Sequence, residues 1–477
     1  MIRKTWFSFI AAAALCLCFS GLVVAQEITG SIAGTVKDAN GAGVPNATVT
    51  ITNSDTKLVT RTVTTNDNGE FSAPLLPVAF YDISVEAGNF KKHVEAKVKL
   101  NVNERHTVDV ALEAGNVAET VTVNSDPLQV NTQSATAGNV ISGDQVRELA
   151  LNNRNFLQLI TLSPGVSPNV QDQIYVGTTN PSGVSNAVQI AVNGVRSSSN
   201  TYTVDGADTT DRGANLTVQT YPSVDAIQEF SVLRSLYPAE SGRSAGGQVN
   251  VITKSGGSAF HGDIYEFWRN EKLNANSFLN NRTTNPAQID ANGKAIRPPL
   301  RYNDFGGTIG GPLPFPHFGN GGPMLDMHNT FFFFSEEVRR VITYPSFNST
   351  VPTAAMRQGN FAHPVCVGPV ANPCSATATT IAQANWSPLA AAYVQDIFNK
   401  LPLPDANGNL FFPTRGVFNF RQELLRLDHR FSSNVSGYYR FENDNIPTIE
   451  PIGLFAGGGG QPLVSTTETN SPGRTHV

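Results

Sequence analysis

A mainly β fold in three parts is what this 477-residue sequence predicts: a small β-sandwich, a compact mixed α/β unit, and the first strands of a β-barrel. Three observations carry it. Between residues 28 and 112, short runs of period-two alternation are bounded by Asn-Gly turns. From Val188 to Gly257, β-prone runs are separated by Asn193-Gly194, Asp205-Gly206 and a Gly/Ser cluster. Beyond Phe260, long Pro/Gly/Asn-rich segments alternate with aromatic strand candidates.

The chain opens with Arg3 and Lys4, an apolar run from Trp6 through Val24, and Val23-Val24-Ala25 before Gln26. That is the charged, apolar and small-residue order of a secretory signal over residues 1–25, with cleavage expected after Ala25. Cys16 and Cys18 would leave with it, and each follows Leu, where a lipoprotein signal needs a small residue. Cys366 and Cys374 then remain as one pair in an exported protein, which points to a local disulfide. No Cys-x-x-Cys or His-Glu-x-x-His spacing is present, and the Gly-x-Ser-x-Gly spelling at Gly242 to Gly246 runs into a strand rather than the helix of a nucleophile elbow, so neither a metal site, a cofactor nor an enzyme is expected. The formal charge of -5, without a Lys/Arg-rich run, argues against a nucleic-acid partner. No second apolar run of about 20 residues follows the leader, so insertion into a membrane would have to be as a closed barrel.

In the first part, residues 26–115, Ala47, Val49 and Ile51 alternate with Thr48, Thr50 and Thr52, and Tyr81, Ile83 and Val85 repeat the pattern. Turns fall at Asn40-Gly41 and Asn68-Gly69, the signature of a small β-sandwich. Gly34, Val36, Pro45, Ala47, Val49, Asn68, Gly69, Phe71, Tyr81 and Phe90 stand as in the carboxypeptidase regulatory-like domain, which this region resembles. No catalytic zinc set accompanies the resemblance, which implies a binding or spacer module.

The second part, residues 125–257, begins with a short amphipathic helix expected over Asp144 to Asn152, with Val146, Leu149 and Ala150 on one face. Strands are expected at Gln189 to Val192, Thr201 to Val204, Glu229 to Leu233 and Gly247 to Thr253. The glycine-rich run 241–247 lacks Gly-Lys-Ser/Thr and precedes a strand, which excludes a phosphate loop. The wording NRNFLQLITLSPGV and the residues Ile227, Glu229, Val232, Arg196, Asp205, Gly206, Gly242, Gly246, Gly247, Asn250, Thr253 and Lys254 resemble the plug domain of TonB-dependent outer-membrane receptors. Where many siderophore receptors read Leu-Arg-Gly-Pro, this chain has Leu233-Arg234-Ser235-Leu236, and AESGRSAGGQVNVIT from Ala239 to Thr253 is similar to the Oar-like branch. The departure weakens any expectation of an iron chelate.

Between the two parts, in residues 116–124, Glu119-Thr120-Val121-Thr122-Val123 resembles a TonB box, the segment captured by a TonB-type energising protein. Val117 to Val123 read equally well as one more sandwich strand, and both readings stand at this point.

The third part, residues 258–477, offers strands near Phe260 to Arg269, Arg301 to Gly310, Thr330 to Val341, Val417 to Arg430 and Val435 to Glu442. In the last two, Leu425, Leu427, His429 and Phe431 alternate with Leu424, Arg426, Asp428 and Arg430, and past Ser432-Ser433-Asn434 the alternation resumes. An apolar face opposite a charged one suits lipid outside and water inside, although a soluble sandwich alternates in the same way. Phe331 to Phe334 do not alternate, which calls for two of these rings to face the plug. A plugged barrel of this kind needs about 22 strands, so the chain is expected to be the N-terminal portion of a longer receptor. The resemblance implies an outer-membrane transporter, plug-gated and energised from the periplasm, with an extracellular ligand such as a carbohydrate or peptide. A non-transporting surface or adhesion protein on the same scaffold is the alternative.

Overall fold

The computed structural model describes residues 29–116, 119–124, 136–168, 190–211, 213, 215, 218–237, 242, 244–281, 288–313, 315–316, 325–326, 329–344, 346–367, 374–405, 407–413, 415–432, 435–445, 447–450, 467–469 and 473–477. The expected leader, Gln189, Ser241, Arg243 and the Ser433-Asn434 turn lie outside them.

The first part is built from β1 (Thr29–Asp38), β2 (Thr48–Asn53), β3 (Val59–Thr64), β4 (Glu70–Pro77), β5 (Ala79–Glu86), β6 (Lys92–Leu100), β7 (Arg105–Thr107), β8 (Val110–Leu112) and β9 (Thr120–Asn124). One sheet runs β4-β1-β7, with β8 also on β1, and the other runs β3-β2-β5-β6-β9. Period-two alternation turns Val49, Ile51, Tyr81, Ile83 and Val85 into one core with Ile32, Phe71 and Leu100, while the intervening threonines face out. At the Asn68-Gly69 turn, Gly69 has φ 77°, and a Cβ there would lie 2.3 Å from the Val36 carbonyl oxygen, so only glycine fits. Tyr81 is fully enclosed, and its hydroxyl donates to Pro77 O at 2.7 Å. Tyr81→Phe should therefore lower sandwich stability by about 0.5–1.5 kcal/mol, read as faster amide exchange along β5 without change of fold.

The second part contains β10 (Ala137–Ser142), α1 (Gly143–Glu148), β11 (Val166–Pro168), β12 (Ile190–Val192), β13 (Thr201–Val204), β14 (Ala207–Asp208), β15 (Ile227–Ser235) and β16 (Gln248–Thr253). Its main sheet has the order β10-β15-β16-β13-β14, with β13 and β16 parallel. Ser142 and Gln145 form a reciprocal capping box at the start of α1. The helix is shorter than the apolar spacing predicts. It ends at Glu148, Leu149 turns extended and is 42% exposed, and only Val146 of the expected stripe enters the core. The chain then passes through Asn153 and Arg154, whose φ values of 53° and 52° are left-handed and cannot continue a helix.

The third part forms one long-stranded antiparallel sheet, with β17 (His261–Asn270), β18 (Leu300–Pro312), β21 (Thr330–Thr343), β26 (Gly416–Arg430), β27 (Ser436–Asn445) and β30 (Gly473–His476) in that order. Small elements fill the connections: β19 (Phe315–Pro316) with β20 (Leu325–Asp326), β22 (Ser346–Thr350) with β25 (Asn409–Pro413), β23 (Asn360–Cys366) with β24 (Thr377–Thr380), and β28 (Thr448–Glu450) with β29 (Thr467–Thr469). All five expected strands are found, several extending past the expected ends. Phe331 and Phe333 are the two buried rings of the phenylalanine run, and Phe333 packs on Ala226 of the α/β unit together with Leu424.

Cys366 and Cys374 are bonded, with Cα atoms 5.9 Å apart, and Cys366 ends β23 of the β23–β24 hairpin. They are 8 positions apart in sequence, so closing so short a loop restrains the unfolded chain by no more than about 3 kcal/mol. Reduction is expected to loosen this hairpin alone, seen as faster exchange over 360–380 with the long sheet unaffected.

Candidate functional site

The α/β unit meets the inner face of the long sheet through charge. Asp205 sits in the β13–β14 turn, where it and Gly206 take φ 46° and 79°, the geometry an Asp-Gly pair favours. Its carboxylate accepts the backbone N–H of Thr253 at 2.9 Å and the Thr253 hydroxyl at 2.6 Å, joining the turn to the end of β16. From the long sheet, Arg440 Nε lies 3.1 Å from one carboxylate oxygen and Arg426 Nη1 3.4 Å from the other, while the Tyr438 hydroxyl donates to Asp205 O at 2.6 Å. Arg426 also donates to Thr253 O at 3.0 Å and stacks on Tyr438, and Arg440 pairs with Glu442.

A second cluster surrounds Arg154, which follows the left-handed Asn153. Its guanidinium pairs with Asp225, reaches Glu337 at 3.7 Å and Asp304 at 3.8 Å, and lies over the rings of Tyr265 and Phe267. Ser223 donates to Glu337 at 2.8 Å, and Arg339 bridges Asp304 at 2.9 Å and Glu337 at 2.8 Å. Burial pushes the Asp225 carboxyl above its usual range, and Arg154 beside it pulls it back. A third tie runs from Tyr221 N–H to Asp444 at 2.7 Å and from the Thr220 hydroxyl to Glu442 at 3.2 Å.

Of the residues singled out in the sequence, Asp205, Gly206 and Thr253 come together at this contact. Asn250 supports them from below, accepting the Thr203 hydroxyl at 2.9 Å. Gly246 and Gly247 permit close approach: a Cβ would lie 2.5 Å from Asn200 Oδ1 at the first and 2.7 Å from Val192 Cγ2 at the second. The Lys254 backbone N–H donates to Ala226 O at 2.8 Å, and burial pushes its ammonium pKa down. Arg196 and Gly242 shape loops within the α/β unit, their carbonyls accepting Ser199 N–H and Ser244 N–H. Glu119 to Val123 lie at the edge of the sandwich: β9 pairs in parallel with β6, and the Glu119 carboxylate is 3.3 Å from Lys91 Nζ. Sequence reasoning passed over Arg154, Asp225, Asp304, Glu337 and Arg339. The available signal was charge alternating at every second position of long apolar strands, as in Glu337 and Arg339, and it was noticed only in the β26–β27 hairpin.

Two of the three parts match known protein families. Residues 31–113 match the carboxypeptidase regulatory-like domain, and residues 252–477 match an outer membrane beta barrel domain. The chain thus carries an N-terminal regulatory-like β domain and, in its last part, strands of an outer membrane beta barrel domain. It is similar to the TonB-dependent transporter Oar of Myxococcus xanthus, 28% identical over 309 residues, which cover 62% of this chain and 26% of the relative. The chain therefore spans about a quarter of the length of that curated relative. Among solved structures it is similar to the outer membrane transporter YddB from Escherichia coli, at 13% identity and TM-score 0.35, covering 65% of this chain and 33% of that one. It is also similar to the siderophore receptor PirA from Acinetobacter baumannii, at 14% identity and TM-score 0.32, covering 72% and 44%.

Proposed function

We propose that the protein moves a ligand across the outer membrane through its barrel, with the α/β unit as a plug displaced by a TonB-type energising protein acting from the periplasm. The observation that carries this reading is the nature of the plug's hold on the wall. Apart from a small apolar contact of Ala226 with Phe333 and Leu424, the ties described are ion pairs and hydrogen bonds such as Asp205–Arg440 and Arg154–Glu337. Polar ties exchange for water when a plug moves, whereas a shared hydrophobic core would resist separation in proportion to the area exposed. Glu119 to Val123 serve as the captured segment, because among the described residues β9 is the edge strand of its sheet, where strand addition takes place. The ligand is an extracellular carbohydrate or peptide bound by the connections of the barrel.

The test is ligand accumulation by cells carrying the full-length protein, with and without an intact proton-motive force. Accumulation that stops when the force is collapsed, while surface binding persists, is the expected result. Equal accumulation in both conditions would reject energised transport and leave a surface-binding protein.

A further inference from the structure

The sandwich and the plug touch at a point that neither the carboxypeptidase regulatory-like resemblance nor the transport reading explains. Within β15, Phe230 and Val232 face the plug core, so Glu229 points to the opposite side, where it is 1% exposed beneath the sandwich. There the backbone N–H of Val102 donates to Glu229 Oε1 at 2.7 Å, and Lys99 Nζ stands 3.6 Å from Oε2. The donor is held in advance. The Glu104 carboxylate accepts both the backbone N–H and the side-chain amide of Asn101, at 2.8 and 2.7 Å, and Asn103 takes a left-handed φ of 58°. That fixes the loop between β6 and β7. Gln228 adds a hydrogen bond to Val78 O at 3.5 Å, and Ser258, just past the plug, bonds Asp55 O through both its N–H at 3.1 Å and its hydroxyl at 2.7 Å.

We propose that the docked sandwich is a latch on the plug, with Glu229 as its positioning residue: by holding β15 it keeps the β10–β15 pair closed. The route is short, since Glu229 is the register partner of Ser142, the last residue of β10 and the cap of α1. Among the described residues β10 is also the first plug element after the candidate TonB box, so a pull on Glu119 to Val123 is passed along the chain toward the β10–β15 pair. A carboxylate buried this deeply is tolerable only while its partners stay in place. Burial pushes its pKa up, the Val102 N–H and Lys99 pull it back, and Glu104 of the sandwich, itself paired with His106, adds to the upward push. The latch rests on the plug reading only for its consequence in transport; the contact and its effect on β10 can be tested without any ligand.

The experiment is hydrogen exchange on the full-length protein in outer-membrane vesicles. Glu229→Ala and Lys99→Glu should each raise exchange about tenfold or more over residues 101–104 and 137–142, the scale of one lost charge-assisted hydrogen bond. Lys99 is partly exposed, so its reversal should leave the sandwich folded, with β2 and β5 protected as before. Glu229→Gln keeps the acceptor for Val102 and should retain near-wild-type protection, whereas Glu229→Met fills the same space without an acceptor and should exchange like Ala; near-wild-type protection in the Met variant would show that the side chain only fills space and would overturn the latch. Unchanged exchange over residues 137–142 in both Glu229→Ala and Lys99→Glu would overturn the latch. Loss of energised accumulation is a separate readout and would bear on the transport reading alone.

Discussion

Asp205→Ala should weaken the hold of the plug on the barrel wall by about 3–5 kcal/mol, the cost of stranding buried charge. Asp205 is fully enclosed and is the plug's counter-ion to Arg426 and Arg440, which come from two adjacent strands of the wall. Removing it leaves the two guanidiniums with Asp428 and Glu442 of their own strands as counter-ions, and it also frees the end of β16 by deleting both bonds to Thr253. The measurement is entry of a large, normally excluded antibiotic into cells carrying the full-length protein, together with its abundance in the outer membrane. Asp205→Asn, which keeps one acceptor for Thr253 and loses the charge, should fall between Ala and wild type. Exclusion as tight as wild type at equal abundance of the Ala variant would show that this ion cluster does not hold the plug.

Val121→Pro should reduce energised uptake to background while leaving ligand binding at the cell surface intact, and Val121→Ala should do little. Proline removes the backbone N–H and fixes φ, so it blocks strand addition at this position whatever the side-chain preference of the partner. The structure adds a second expectation. Val121 is the register partner of His93, so proline should also loosen β9 from β6 without touching the core, because β9 is an edge strand. Abundance near wild type with uptake lost supports capture of this segment. Low abundance with loss of protection across β5 and β6 would mean that the residue serves the sandwich alone, and normal uptake would remove the TonB-box assignment.

The sandwich core, the plug strands and the five long strands were legible because each depends on a local rule. Val49 and Ile51 must share a face, Asp205-Gly206 must turn, and Leu425 and Arg426 must point to opposite sides, whatever else the chain does. The length of α1 was not legible, since its apolar spacing continued past Glu148 while the chain turns extended at Leu149. Nor could spacing decide between a free segment and a strand for Glu119 to Val123: a five-residue β-prone run is compatible with both, and pairing with β6 was settled by what lies beside it in space.

By itself, then, the sequence determined the order of the three parts, the alternation that buries Val49, Ile51, Tyr81, Ile83 and Val85 together, and the turn at Asp205-Gly206. Only the tertiary structure decided what those residues meet. Arg154 and Glu337 are 183 positions apart, as 337 − 154 shows, and stand 3.7 Å from each other, while Val102 and Glu229 are 127 apart and joined by a 2.7 Å hydrogen bond. Periodicity fixes the face on which a charge is placed, because backbone geometry is local. The identity of its partner depends on how separate sheets pack, and burial then makes that partner obligatory, since an ion without its counter-charge is too costly to enclose.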